Sequence, residues 1–235
     1  MKPLVKFERT EFINERWRYR AGEHVTFIAP TQHGKTTLAF QLMEVTATPR
    51  MPAITMVMKP RDRTVSDWGK RLRYRTVRQW PPFPSLWRPK PNGYLLWPRH
   101  TFNFNIDKAE LTYQMERCLT HSYRKGNRIV FGDEAYGLAE ELGLGHELVA
   151  IWTRGASMGC GLWAATQRPA YIPLWGYSMA EHVFIGHDPD KRSVKRFAEI
   201  GGIDPDIIQY TVPRLQRYEY LYIRRTGPAI CIVGA

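Results

Sequence analysis

The sequence contains little cysteine and no long apolar run. Its three cysteines, Cys118, Cys160 and Cys231, are far apart and odd in number, so neither a disulfide framework nor a cysteine-based zinc site is expected. No stretch of 18 apolar residues is present, and we therefore expect no membrane-spanning segment. The start of the chain, residues 1–6, lacks the apolar segment of a signal peptide. A protein of the reducing cytoplasm is the expectation.

Acidic residues are scarce relative to basic ones. The chain has 22 Asp and Glu against 34 Lys and Arg, which gives a net charge of +12 and a pI near 9.8. Such a charge favours a polyanionic partner such as nucleic acid, although a merely basic surface is the alternative. At 235 residues with 43% hydrophobic residues, the chain is long enough to bury a full core, and we expect a single domain over residues 1–235.

One stretch combines a strand, a tight loop and the start of a helix. The apolar run 24–28 precedes it and a helix from about Gly34 to Val45 follows. The pattern G-x-x-x-x-G-K-[ST] is met except at its first position, where Ala29 replaces glycine. The candidate phosphate-binding residues are Pro30, Thr31, Gln32, His33, Gly34, Lys35, Thr36 and Thr37.

The chemistry of this loop explains its residue types. Backbone N–H groups at a helix N-terminus favour an anion, and Gly34 lets the main chain pass close to a phosphate. Lys35 is expected to reach the β- and γ-phosphates of ATP, and the hydroxyl of Thr36 is a ligand for Mg²⁺. A chance Gly-Lys-Thr at a helix start is the alternative. His33 is either a functional base or a solvent-facing loop histidine.

A second apolar strand, residues 128–132, ends in Asp133 and Glu134. An Asp at the carboxyl end of a strand can bind Mg²⁺ through water, and an adjacent Glu can polarise the attacking water as general base. Downstream of a phosphate-binding loop this is the Walker B pattern, whereas a helix N-cap is the alternative role of Asp133. A further strand, 162–166, ends at Gln167, where a side chain can sense the γ-phosphate.

The remaining periodicity predicts an α/β fold with a mostly parallel central sheet flanked by helices. Further strands are expected over 53–58, 94–97, 181–186, 218–223 and 229–233, and further helices over 108–123, 144–154 and 189–200. Residues 59–100 form a basic, Trp/Pro-rich excursion of low regularity. It is either a nucleic-acid surface, where cations take phosphates and rings stack, or a surface loop whose tryptophans pack on the core.

Residues 154–162 (RGASMGCGL), followed by Thr166, Gln167, Arg168 and Pro169, resemble the HerA/FtsK superfamily of DNA-pumping ATPases. The short length resembles the compact genome-packaging ATPases of viruses within that superfamily. The resemblance implies a RecA-like P-loop NTPase with ATP and Mg²⁺ as ligands.

The same resemblance assigns roles and partners. It implies that Asp133 is the Walker B acid, Glu134 the catalytic base and Gln167 the sensor. Arg154 is implied to reach the ATP of a neighbouring subunit, with Arg168 as the rival. The implied assembly is a homo-oligomeric ring, expected to be a hexamer, that acts on double-stranded DNA and meets a viral portal or capsid vertex in the host cytoplasm.

Three functions compete at this point. The first is an ATP-hydrolysing double-stranded DNA translocase that packages a viral genome. The second is a superfamily-two-like helicase, because Ala29-Pro30-Thr31 before Gly34-Lys35-Thr36 is similar to its motif I; the length of the chain and the absence of a final Asp after Asp133-Glu134-Ala135 argue against it. The third is a nucleotide-gated assembly or secretion ATPase that acts on protein.

Overall fold

Ten strands form one sheet in the computed structural model, which describes residues 4–83, 89–167, 179–197, 203–227 and 229–235. The strands are β1 Lys6–Phe7, β2 Val25–Ile28, β3 Ala53–Met56, β4 Arg75–Val77, β5 Gly93–Leu96, β6 Arg128–Gly132, β7 Cys160–Thr166, β8 His182–Gly186, β9 Tyr220–Arg224 and β10 Ala229–Val233. Their order across the sheet is β1-β10-β9-β8-β2-β7-β6-β3-β5-β4.

The central part of the sheet is parallel. All pairings from β8 through β2, β7, β6, β3 and β5 to β4 are parallel. Among the ten described strands, only β9 runs against its neighbours, so the predicted mostly parallel sheet is confirmed. Strand β6 has the predicted bounds, and β7 begins two residues earlier than predicted.

Helices cover the sheet, as predicted. The helices are α1 Arg9–Glu11, α2 Lys35–Thr46, α3 Arg63–Arg71, α4 Phe104–Lys125, α5 Gly145–Arg154, α6 Lys191–Phe197 and α7 Pro205–Thr211. Shorter helical turns lie at Phe12–Arg16, Gly137–Glu141, Gly155–Met158 and Val212–Arg214. In the described part of the chain, no helix combines the length and the apolar character needed to cross a bilayer.

Each face of the sheet carries its own hydrophobic core, because successive side chains of a strand point to opposite faces. Ile129 and Phe131 of β6 pack in the cluster that contains Leu38 of α2. Val130 between them packs in the cluster of α4 and α5. Burial on both faces explains why the central strands are continuous apolar runs rather than alternating ones. The α4 stripe of Leu111, Met115, Cys118 and Leu119 is buried in this second core.

Residues 59–100 are more regular than the sequence predicted. Helix α3 begins after Asp62, whose Oδ1 accepts a hydrogen bond from the backbone N–H of Val65 at 3.0 Å. Strands β4 and β5 extend the parallel sheet beyond β3. Trp80 is buried, and its indole N–H donates to His121 Nδ1 at 3.1 Å. This tryptophan therefore packs on the core, which favours the packing alternative over base stacking at that position.

The strand order places the sequence motifs together. Strand β2 lies between β7 and β8, and β6 lies on the other side of β7. Because these four strands are parallel, their carboxyl ends meet at one edge of the sheet. The loop after β2, Gln167 after β7 and the Asp-Glu pair after β6 all lie at that edge.

Candidate active site

The loop of residues 29–34 connects β2 to α2 and is closed by the side chain of Lys35. Lys35 is 8% exposed, and its Nζ donates to the carbonyl oxygens of Ala29 at 2.6 Å and Pro30 at 2.9 Å. Burial lowers the pKa of Lys35 to about 8, although the charges of Asp133 and Glu134 act in the opposite direction. A buried ammonium that is satisfied by two carbonyl groups is poised to exchange them for phosphate oxygens.

Ala29 fits where the pattern usually has glycine, and the structure shows why. Ala29 is 2% exposed and is absent from the residues of positive φ, which include Gln32 and Gly34 in this loop. An alanine is therefore not strained at this position. Room for its methyl group comes from Gly186 of β8, since a Cβ at Gly186 would lie 2.6 Å from Ala29 Cβ.

His33 belongs to the framework of the loop. Its Nδ1 lies 3.0 Å from the carbonyl oxygen of Thr31, and its own carbonyl oxygen accepts a hydrogen bond from the hydroxyl of Tyr220 at 2.5 Å. The Tyr220 contact holds the loop against β9.

Asp133 and Thr36 are in direct contact. The Thr36 hydroxyl donates to Asp133 Oδ1 at 2.5 Å, which joins the start of α2 to the end of β6. A hydroxyl and a carboxylate that converge in this way are the hard oxygen ligands that Mg²⁺ prefers. The two residues that the sequence predicted as metal ligands therefore supply oxygen atoms that would suit Mg²⁺.

Glu134 and Gln167 form the second pair of the site. Gln167 Nε2 donates to Glu134 Oε2 at 2.9 Å, and Gln167 Oε1 accepts from the Thr31 hydroxyl at 2.8 Å. Gln167 can bridge the two because its strand lies between β2 and β6. Burial raises the pKa of Glu134, with the charge of Asp133 adding to the rise and the Gln167 hydrogen bond opposing it. A raised pKa suits a general base that works near neutral pH.

Sequence reasoning did not single out Lys59, which completes the charge arrangement. Lys59 follows β3, and its Nζ lies 3.6 Å from Asp133 Oδ2 and 3.4 Å from Asp62 Oδ2. Burial acts to lower the pKa of Lys59, but the charges of Asp133 and Asp62 outweigh it, and the pKa is raised. No local sequence pattern marks Lys59, because its contact with Asp133 depends on β3 lying beside β6.

A cavity of about 650 Å³ opens beside the two carboxylates. Asp133, Glu134 and Lys59 line it, together with apolar side chains from β3, from the residues that follow β3 and from the first turns of α4, with Met56, Val57, Met58, Phe104 and Leu111 among them. The cavity beside the carboxylates therefore has a largely apolar lining.

Arg154 does not lie at this site in its own chain. It ends α5, just before β7 begins, so it lies at the amino-terminal edge of the sheet, whereas Gln167 follows the last residue of β7. The seven residues of β7 separate the two edges by roughly 20 Å. The Arg154 side chain is exposed, and its Cζ lies 6.0 Å from the centroid of the Tyr123 ring. Arg168, the rival arginine, lies outside the described residues.

Comparison with known proteins identifies the fold of the chain. No protein-family model and no curated protein matches the sequence. Among solved structures, B204, the DNA-packaging ATPase from Sulfolobus Turreted Icosahedral Virus, superposes with a TM-score of 0.62 at 15% identity, over 91% of this chain and 98% of that one. The chain has the fold of a P-loop ATPase.

Two further solved structures extend this comparison. The genome packaging NTPase B204 from Sulfolobus turreted icosahedral virus 2, in complex with ATP-gammaS, gives a TM-score of 0.58 at 14% identity over 91% of this chain and 98% of that one. The cytoplasmic domain of the Type VII Secretion ATPase EccC from Thermomonospora curvata gives 0.56 at 16% identity, over 93% of this chain and 26% of that one. The resemblance to HerA/FtsK-type and viral packaging ATPases is confirmed at the level of the fold.

Proposed function

We propose that the chain is an ATPase that hydrolyses ATP to ADP and phosphate. The observation that carries this proposal is the meeting of the motifs at one edge of the sheet. Thr36 contacts Asp133 at 2.5 Å, and Gln167 links Glu134 to Thr31 of the phosphate-binding loop at 2.9 and 2.8 Å. Residues that follow three separate strands thus converge beside the buried ammonium of Lys35.

Each residue has a role in this proposal. Backbone N–H groups of the loop and of the first turn of α2 hold the phosphates, and Lys35 transfers its hydrogen bonds from the two carbonyls to the phosphate chain. Thr36 and Asp133 hold Mg²⁺, which supplies positive charge against the phosphate oxygens when bound. Glu134 orients the attacking water and takes its proton. Gln167 contacts both Thr31 of the loop and Glu134, so it couples nucleotide binding in the loop to the position of Glu134.

We further propose that hydrolysis drives the translocation of double-stranded DNA in viral genome packaging. The net charge of +12 supports a polyanionic partner, and the fold similarity to the packaging ATPase B204 supports this process. In this proposal the chain is a single domain that works as a homohexameric ring at a portal or capsid vertex in the host cytoplasm. Arg154 and Arg168 are the candidates for an arginine that reaches the next subunit.

A second candidate is an ATPase that moves or assembles protein. The similarity in fold to the Type VII Secretion ATPase EccC supports it, since one fold serves both kinds of partner. The nucleotide site is expected to be the same in both cases. The partner therefore separates the two functions.

The test is ATP turnover with and without double-stranded DNA, run beside native mass spectrometry. We expect turnover that rises with DNA, a ring-sized mass, and loss of turnover in a folded Lys35→Ala variant. Turnover unaffected by Lys35→Ala would overturn the site assignment. Turnover that does not change when DNA is added would favour the ATPase that acts on protein. A monomeric mass would favour a helicase.

A further inference from the structure

The phosphate-binding loop has a second neighbour besides the catalytic carboxylates. Strand β2 lies between β7 and β8, and Glu134 and Gln167 lie on the β7 side of the loop. Under the proposed ATPase function, the terminal phosphate points to Glu134. The rest of the nucleotide then extends away from Glu134, toward the side of β8 and β9.

On that side, the turn before β9 lies directly against the loop. Arg217 Nη2 donates to the carbonyl oxygen of Gln32 at 3.4 Å. The hydroxyl of Tyr220, the first residue of β9, donates to the carbonyl oxygen of His33 at 2.5 Å. The Tyr218 ring lies against Gly34 of this loop, because a Cβ at Gly34 would lie 3.1 Å from Tyr218 Cδ1. The ring of Tyr218 thus borders the glycine that precedes Lys35.

Tyr218 has an unusual backbone conformation, and polar contacts surround it. Its φ is +72°, the left-handed region that a tyrosine rarely adopts. The guanidinium of Arg9, itself 8% exposed, donates to the carbonyl oxygens of Tyr218 and Gly234. Glu219 accepts from the backbone N–H of Gln216 at 2.8 Å and pairs with Lys6 at 2.6 Å. Strain that is maintained by its surroundings is common at ligand-binding positions.

The side chain that this turn presents is a partly exposed aromatic ring. Tyr218 is 39% exposed, and Arg217 lies over it with Cζ 4.8 Å from the ring centroid. An exposed aromatic ring and a guanidinium group are both groups on which the π-face of a nucleic base stacks. The hydrophobic core does not need this ring, since the core residues of β9 lie further along the chain at Tyr220 and beyond.

We propose that Tyr218, together with Arg217, is the platform on which the purine base of the nucleotide stacks. This inference rests on the proposed ATPase function and adds the site of its base. Stacking on a ring and a guanidinium recognises the π-face rather than the base edge. We therefore expect a preference for purine over pyrimidine nucleotides, with little discrimination between adenine and guanine.

The experiment compares calorimetric binding of Mg-ADP with that of Mg-tripolyphosphate, which has phosphates but no base. Tyr218→Ala should weaken ADP binding roughly 5- to 150-fold and leave tripolyphosphate binding unchanged. Tyr218→Leu keeps bulk against Gly34 without a ring, so it should lose ADP affinity as well, whereas Tyr218→Phe should keep it. Tyr210→Ala is the matched control, because Arg214 lies over Tyr210 in a similar pair, 4.0 Å from the centroid, on α7 and the turn after it.

The outcomes separate the base platform from other roles. Equal loss of ADP and tripolyphosphate affinity in Tyr218→Ala, with recovery of both in Tyr218→Leu, would mean that the ring only supports the loop, and would overturn the proposal. Unchanged ADP affinity in Tyr218→Ala would overturn it too, while leaving the ATPase site intact. A wild-type protein that binds neither ligand would instead overturn the nucleotide site itself.

Discussion

Glu134 is the residue at which binding and chemistry can be separated. The variant Glu134→Gln keeps the shape of the side chain and removes the base, so nucleotide should still bind while hydrolysis falls roughly 10²- to 10⁴-fold. Steady-state turnover and ADP titration measure the two effects. The matched control is Glu141→Gln, an exposed carboxylate on the same cavity, which should retain turnover. An equal loss of binding and turnover in Glu134→Gln would make Glu134 a structural residue.

Some residues of the site could be predicted from the sequence, and others could not. Lys35, Thr36, Asp133 and Glu134 stand in contiguous motifs whose spacing carries the chemistry. Lys59 could not be nominated, because its contact with Asp133 depends on β3 neighbouring β6. Tyr218 lies far along the chain from Gly34 and meets it only through the order of β8 and β9, which no local pattern encodes.

At the scale of elements, α4 carries one wall of the active-site cavity, and its start is capped by Asn103. Asn103 Oδ1 accepts from the backbone N–H groups of Asn105 at 3.2 Å and Ile106 at 3.3 Å. Asn103→Ala should therefore lower the free energy of unfolding by about 1 kcal/mol. Asn103→Asp should retain it, since a carboxylate also accepts these bonds and favours the helix dipole. Denaturant unfolding gives both values, and equal losses would argue against a capping role.

Two of the elements that sequence reasoning missed, α3 and β4, are short and lie within residues 59–100. Strand β4 has three residues, Arg75–Val77, too few for an alternating pattern to be recognised. Helix α3 contains Gly69, a poor helix former, at a point where the helix packs closely on β5, since a Cβ there would lie 2.4 Å from Leu95 Cδ1. The sequence did contain one signal for α3, because Asp62 is a residue type that is typical of the N-cap position before a helix. By contrast, long buried strands such as β6 and β7 were predicted, since burial on both faces leaves a continuous apolar run.

At the scale of the whole molecule, the positive charge predicts how DNA would bind. With a net charge of +12, phosphate contacts should dominate, so log affinity should fall linearly with log salt, with a slope of about −0.9 per phosphate neutralised. Fluorescence anisotropy with duplexes of unrelated sequence should give similar affinities at each salt concentration. Binding that is absent, or independent of salt, would contradict a DNA partner and support a protein partner.

The separation of Arg154 from its own phosphate-binding loop makes a prediction about the assembly. Arg154 lies at the amino-terminal edge of the sheet and the loop at the carboxyl edge, so a direct contact between Arg154 and ATP would have to be made with the ATP of another subunit. An arginine supplied in this way is worth about 10³–10⁵ in rate. Capping of the carbonyls at the end of its own helix is the competing role, and it would leave hydrolysis almost unchanged.

A mixing experiment distinguishes these roles. Arg154→Ala and Lys35→Ala subunits should each be inactive alone. In mixed rings, some interfaces pair the intact loop of an Arg154→Ala subunit with the intact arginine of a Lys35→Ala neighbour. Activity should return at those interfaces. ATP turnover across mixing ratios would measure this recovery. The control is Arg124→Ala, an exposed arginine in the last turn of α4 at the same edge, which should be active unmixed. Near-normal turnover by pure Arg154→Ala would exclude this arginine and leave Arg168 as the candidate.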